Sequence, residues 1–215
     1  MSNAPTDEVR VGRAADRAAY DAASVAEILD DGWVAHVGTV RAGKPVVIPM
    51  YYVRDGDSLL LHGSNAAGTL RRGKGADVCV TVTLLDALVL ARSAFHHSMN
   101  YRSVVVIGQA VLVDDPDEKV AALELFVERM VAGRQAMLRP TTPKELNATM
   151  VLRLPLEQAS AKVRNGPPVD DDEDYELPIW AGLVPLTSQF DVPIGDGRSP
   201  DGTEQPANVT ALMRD

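Results

Sequence analysis

What most constrains this chain is a series of short β-branched runs joined by turns tight enough to leave an antiparallel hairpin as the natural connection. Asp55-Gly56 lies between the apolar runs 45–53 and 58–62, and an Asp-Gly pair supplies the positive-φ residues that a two-residue hairpin turn needs. Arg41-Ala42-Gly43-Lys44 repeats the arrangement between residues 33–40 and the run from Pro45. Further on, Val78, Val80, Val82 and Leu84 share one face of a strand and Cys79, Thr81 and Thr83 the other, the period of two that marks unequal faces. Asp86-Ala87 reads as a reversal into a strand over 88–92. Residues 101–113 read as a long strand bent at Gly108, where a bulge is expected. Residues 150–154 and 159–163 read as the closing strands.

Helix signals are fewer. Asp21 caps a short helix whose Val25, Ile28 and Leu29 share a face, with Gly32 at its end. Residues 65–73 have room for one or two helical turns. Asp115, Pro116 and Glu118 form a strong start for the longest helix, with an apolar stripe of Val120, Leu123, Val127, Met130 and Val131 and a stop at Gly133. Thr142-Pro143 opens another short one. The fold class expected is mainly β with helices, an antiparallel barrel of six strands flanked by helices. Residues 1–20 are expected as a flexible arm, 21–187 as the barrel domain and 188–215 as a flexible tail; the acidic run 170–174 reads as a solvated loop.

Composition narrows the function. A net charge of -9 gives no general attraction for nucleic acid or anionic membrane. The single cysteine, Cys79, leaves no internal disulfide and no thiolate metal cluster, and it reads as a small buried hydrophobe. No apolar run approaches the ~20 residues of a membrane helix, and residues 1–17 lack a signal-peptide core, so a cytoplasmic protein is expected. A Rossmann glycine fingerprint, a phosphate loop, a zinc-protease helix motif and a hydrolase elbow are all missing from the sequence.

One segment combines hydroxyls, aromatics, two histidines and a guanidinium just before a buried strand: Ser93-Ala-Phe-His-His-Ser-Met-Asn-Tyr-Arg-Ser103. Such a mixture reads as a pocket wall for a flat, anionic ligand. His97 to Gly108, together with Gly43-Lys-Pro-Val-Val-Ile-Pro-Met-Tyr51, Leu59-Leu-Leu-His-Gly-Ser64 and Thr81-Val-Thr-Leu-Leu-Asp86, resembles the pyridoxamine 5'-phosphate oxidase-like superfamily, in its flavin-nucleotide-binding branch with the nitroimidazole-resistance proteins.

The resemblance implies a split barrel that forms a homodimer with FMN held at the interface. By position it implies that Val47, Ile48, Pro49, Met50 and Tyr51 run along the isoalloxazine edge, with His62, Gly63 and Ser64 near the ring and ribityl chain. Tyr101, Arg102 and Ser103 fall at cofactor-binding strand positions, and Trp180 at that of a ring-capping tryptophan. His62 and Tyr101 are the candidate proton donors. Relatives carry basic residues in the turn after the third strand, whereas residues 65–69 here hold no charge, so Arg71 is expected to meet the phosphate. The implied activity is transfer of electrons from reduced flavin to a small acceptor, with a nicotinamide as possible donor. Two alternatives stand beside it: a flavin-storage module without turnover, and a haem-binding barrel with His62, His96 or His97 as axial ligand. The C-terminal segment lacks the paired Arg and His of a true pyridoxamine phosphate oxidase.

Overall fold

Both turn signals close hairpins in the structure, a computed structural model that describes residues 4–66, 68–200 and 202–213. The elements are β1 (Ala18–Ala19), α1 (Ala22–Asp31), β2 (Val34–Arg41), β3 (Lys44–Asp55), β4 (Ser58–Ser64), α2 (Gly68–Gly73), β5 (Asp77–Leu90), β6 (Ser98–Gln109), β7 (Val111–Leu112), α3 (Pro116–Met130), α4 (Pro143–Ala148), β8 (Thr149–Pro155), β9 (Ala159–Arg164), β10 (Gly182–Pro185) and α5 (Ala207–Ala211). Ala42 and Gly43 take φ of 49° and 75°, the paired positive values that let a two-residue turn follow the twist of β2 and β3.

Among the described residues the ten strands form one sheet in the order β1-β9-β6-β5-β2-β3-β4-β8-β7, with β10 added to β5. The strand pairs are antiparallel and the path does not close, as in a split barrel. Leu59 and Leu61 of β4 point into the barrel with Leu29, Tyr52, Val80 and Val104. Leu60, on the opposite face, packs with Val53, Val151 and Phe126 under α3. Strand β4 is thus buried on both faces, which explains its unbroken leucine run; each of these leucines contributes about 2 kcal/mol by burial.

The structure corrects several expectations. Asp86-Ala87 does not reverse the chain: β5 runs on to Leu90, and a register shift between Leu85 and Ala87 absorbs the extra residue. Neither Asp86 nor Ala87 has a positive φ, so a bulge is the cheaper solution. Strand β6 starts at Ser98 and pairs through Met99 with Leu88. Cys79 is exposed on the outer face of β5. Asp170 is buried, accepting hydrogen bonds from Arg92 N at 2.8 Å and Arg92 Nη1 at 3.0 Å. These contacts outweigh the cost of burial and hold its pKa below 3.8. Of the N-terminal segment, whose residues 1–3 lie outside the described residues, Val9 is buried and β1 pairs with β9. Phe190 stands edge-on to Trp33 at 5.8 Å, and Asn208 donates to the carbonyl of Ala132. Among the described residues no helix is long and apolar enough to cross a membrane.

Candidate functional site

The split in the barrel lies along β3. From Tyr52 to Asp55 this strand pairs with β4, but over residues 44–51 it pairs only with β2. Arg41 and Lys44 close a two-residue turn, so they form a hydrogen-bonded pair, and Lys44, Val46, Ile48 and Met50 direct their backbone groups to β2. Pro45, Val47, Pro49 and Tyr51 turn theirs to the open side. Proline has no N–H, so the open edge presents amide donors at Val47 and Tyr51 and carbonyl acceptors at Pro45, Val47 and Pro49, the Tyr51 carbonyl being turned to β4. Val47 is 58% exposed there.

A second feature lies behind this edge. A cavity of about 510 Å³ opens between β4 and the helices α3 and α4, with Leu123, Phe126, Val127, Met130 and Leu138 in its wall. His62 enters it from β4, paired across to Val151 of β8. Its Nδ1 is buried with no hydrogen-bond partner, and burial pushes its pKa below 6.5, so the imidazole is neutral and keeps a lone pair available. At the rim Arg139 donates to both carboxylate oxygens of Glu145, at 2.9 and 2.5 Å. An apolar wall and one neutral imidazole suit a flat apolar ligand, and the rim carries Glu124 beside the Arg139–Glu145 pair.

The apolar stripe of α3 supplies one wall of the cavity. Leu123, Val127 and Met130 line it, while the buried residues of α3 are Ala122 and Phe126. The apolar arc of α3 is wider than one contact face requires, which is the mark of a helix facing both core and cavity.

Aromatic rings connect the two places. Trp33 stacks on Tyr51 at 6.1 Å and 17°. Tyr51 meets Phe126 edge-on at 5.7 Å, and Phe126 meets His62 at 4.2 Å. Burial raises the Tyr51 phenol above 10.0, and the hydroxyl donates to the Phe126 carbonyl at 3.2 Å. Arg129 of α3 donates to the carbonyls of Leu29, Asp30 and Gly32 and stands 5.2 Å from the Trp33 ring. It thereby fixes the end of α1 and the first ring of the line. Neither Phe126 nor Arg129 was marked by the sequence as part of a site.

The other expected site residues are spread around these features. A Cβ on Gly63 would lie 2.9 Å from a methyl group of Leu70, so glycine lets α2 approach β4. Ser64 Oγ accepts from the amide of Ala66. Arg71 is exposed on α2 and has no ion pair among the described residues. On β6, Tyr101 pairs with Leu85 and Arg164, and Ser103 Oγ donates to the Lys162 carbonyl. Arg102 is bound at 2.5 Å by Asp31 and at 3.0 Å by Asp86, hydrogen bonds that raise its pKa further. Trp180 is 68% exposed. His96 lies 3.3 Å from the Asp171 carboxylate, and His97 Nδ1 lies 2.8 Å from the Ser93 carbonyl. Phe95, expected in a pocket wall, is 90% exposed. Among the described residues no three of His, Cys, Asp and Glu gather as a metal cage.

Residues 21–163 match the family described as pyridoxamine 5'-phosphate oxidase. The flavocytochrome Anf3 from Azotobacter vinelandii is 41% identical, over 97% of this chain and 98% of its own, with a TM-score of 0.93. The FAD and heme binding protein from Mycobacterium smegmatis is 37% identical, over 92% of this chain and 97% of its own, with a TM-score of 0.88. A protein described as a candidate 5-nitroimidazole antibiotic resistance protein, from Bacteroides thetaiotaomicron, shares the fold at 22% identity over 68% of this chain and 86% of its own, with a TM-score of 0.58. No curated protein sequence matches the chain.

Proposed function

From the premise that the chain belongs to the pyridoxamine 5'-phosphate oxidase-like family of flavin-binding split barrels, we propose that it is an oxidoreductase holding a flavin along the open edge of β3 and a haem in the cavity beneath α3. The observation that carries the second cofactor is His62, a neutral imidazole with an orphaned nitrogen, set in the wall of an apolar cavity. Of His62, His96 and His97 it is His62 that lines the cavity, while His96 lies beside Asp171 and His97 against the Ser93 carbonyl, so His62 is the axial ligand. The relatives at 41% and 37% identity carry names that join flavin with haem, flavocytochrome in one case and FAD and heme binding in the other. The second name favours FAD over the FMN that the sequence resemblance implies.

When bound, the two groups supply hydride and single-electron chemistry that no side chain provides. The amides of Val47 and Tyr51, with the carbonyls of Pro45, Val47 and Pro49, fit the mixed donor and acceptor edge of a flavin ring. Arg71 is free to meet a phosphate, whereas Asp31 and Asp86 already balance the charge of Arg102. At the rim of the cavity Arg139 is balanced in the same way by Glu145. The Phe126 ring holds the imidazole plane. The protein works as a homodimer on a small acceptor.

Absorption of the freshly purified protein, followed by mass identification of what denaturation releases, tests this. Flavin bands with a sharp violet haem band are expected, and His62→Ala removes the violet band alone. Flavin without haem in the wild-type protein overturns the two-cofactor reading, and the mass separates FMN from FAD.

A further inference from the structure

We infer that Tyr51 and Phe126 form an electron bridge between the open edge of β3 and His62, an inference that rests on the two-cofactor reading above. Tyr51 belongs to both places. Its main chain lies on the open side of β3, while its ring reaches under α3 to Phe126. Two connections run in parallel between them, the ring contact at 5.7 Å and the hydrogen bond from the Tyr51 hydroxyl to the Phe126 carbonyl at 3.2 Å. Phe126 is 4% exposed and closes the line on His62 at 4.2 Å.

Electron tunnelling through protein is attenuated most where it must cross gaps between unbonded atoms. Rings in contact, with a hydrogen bond spliced alongside, couple two sites better than an aliphatic filling of equal volume. Packing alone does not call for rings here, because Val53, Leu60, Val113 and Val151 fill the rest of the same cluster. Its rings fall instead in one line that ends on the histidine of the cavity, and Trp33, 41% exposed, extends that line outward.

Each passage moves one electron. A bound reduced flavin would lose it and a bound ferric haem would gain it, with the flavin's proton released to water; a doubly reduced flavin would need two such passages, and a one-electron acceptor would reoxidise the haem. Tyr51 and Phe126 are neither oxidised nor reduced.

The test uses the full chain loaded with flavin and haem, each verified by its absorption. A flash in the presence of a sacrificial amine donor photoreduces the flavin, and the haem band is followed in time. Tyr51→Leu and Phe126→Leu are expected to slow haem reduction by about tenfold or more with both absorption spectra unchanged, while Tyr51→Phe, which keeps the ring, stays near the wild-type rate. Phe126→Met conserves volume and serves where Phe126→Leu fails to fold. Wild-type rates in fully loaded Tyr51→Leu and Phe126→Met overturn the bridge and leave the two-cofactor reading standing. A wild-type protein that takes up flavin but no haem overturns both.

Discussion

At the level of single residues, the structure shows two whose chemistry is at odds with their surroundings. Ala42 holds a φ of 49° in the β2–β3 turn, a conformation that costs a non-glycine residue about 1 kcal/mol or more. Ala42→Asn makes an Asn-Gly turn and is expected to raise stability by about 1 kcal/mol in denaturant titration. His62 is the other. Its pKa lies below 6.5 because it is buried, so at mildly acid pH the unfolded chain binds a proton that the folded one refuses. The stabilising balance is complete above about pH 6.5 and shrinks as the pH falls. Denaturant titrations of the cofactor-free protein from pH 7 to 5 are expected to show this loss, and His62→Leu to flatten it. The histidine's conflict with its cavity was not legible in the sequence, because it depends on α3, which lies some sixty residues away.

Secondary-structure elements divide into those whose cause is local and those whose cause is not. Helices α1, α3 and α4 begin where Asp21, Asp115 and Thr142 accept from the first-turn amides, and those caps were legible because both partners lie within a few residues. The hairpins at Ala42-Gly43 and Gly56 were legible for the same reason. Strand β5 was not: its course past Asp86 is set by β6 on one edge and β10 on the other. Asp170 was misread because its partner, Arg92, is remote in sequence. Helix α3 lies between these cases, since its apolar residues were visible but not their division between core and cavity. Val127 is on the cavity side. Val127→Trp is expected to lower haem affinity by about a hundredfold, roughly 3 kcal/mol, with flavin content unchanged, as measured by titrating haem into the cofactor-free protein.

At the scale of the whole molecule, the outer face of the barrel is too apolar for open water. Val34, Val40, Val47, Leu88 and Met99 are exposed on β2, β3, β5 and β6. A shallow depression of about 410 Å³ is lined by His36, Val40, Val47, Cys79 and Ile107. Patches of this kind mark association surfaces. The protein is therefore expected to sediment at about twice its 23.1 kDa, and Val40→Glu to shift it to the monomer with loss of flavin; a wild-type monomer that keeps its flavin contradicts this. The open edge of β3 has a different consequence. An unpaired strand ordinarily invites a second strand to zip onto it, the first step toward a fibre. Pro45 and Pro49 withhold every other donor on that side, so an incoming peptide finds half its carbonyls unanswered. A compact heterocycle needs only the Val47 stretch. The same two prolines thus admit a small guest while barring polymerisation, and the barrel can stay split without becoming a seed.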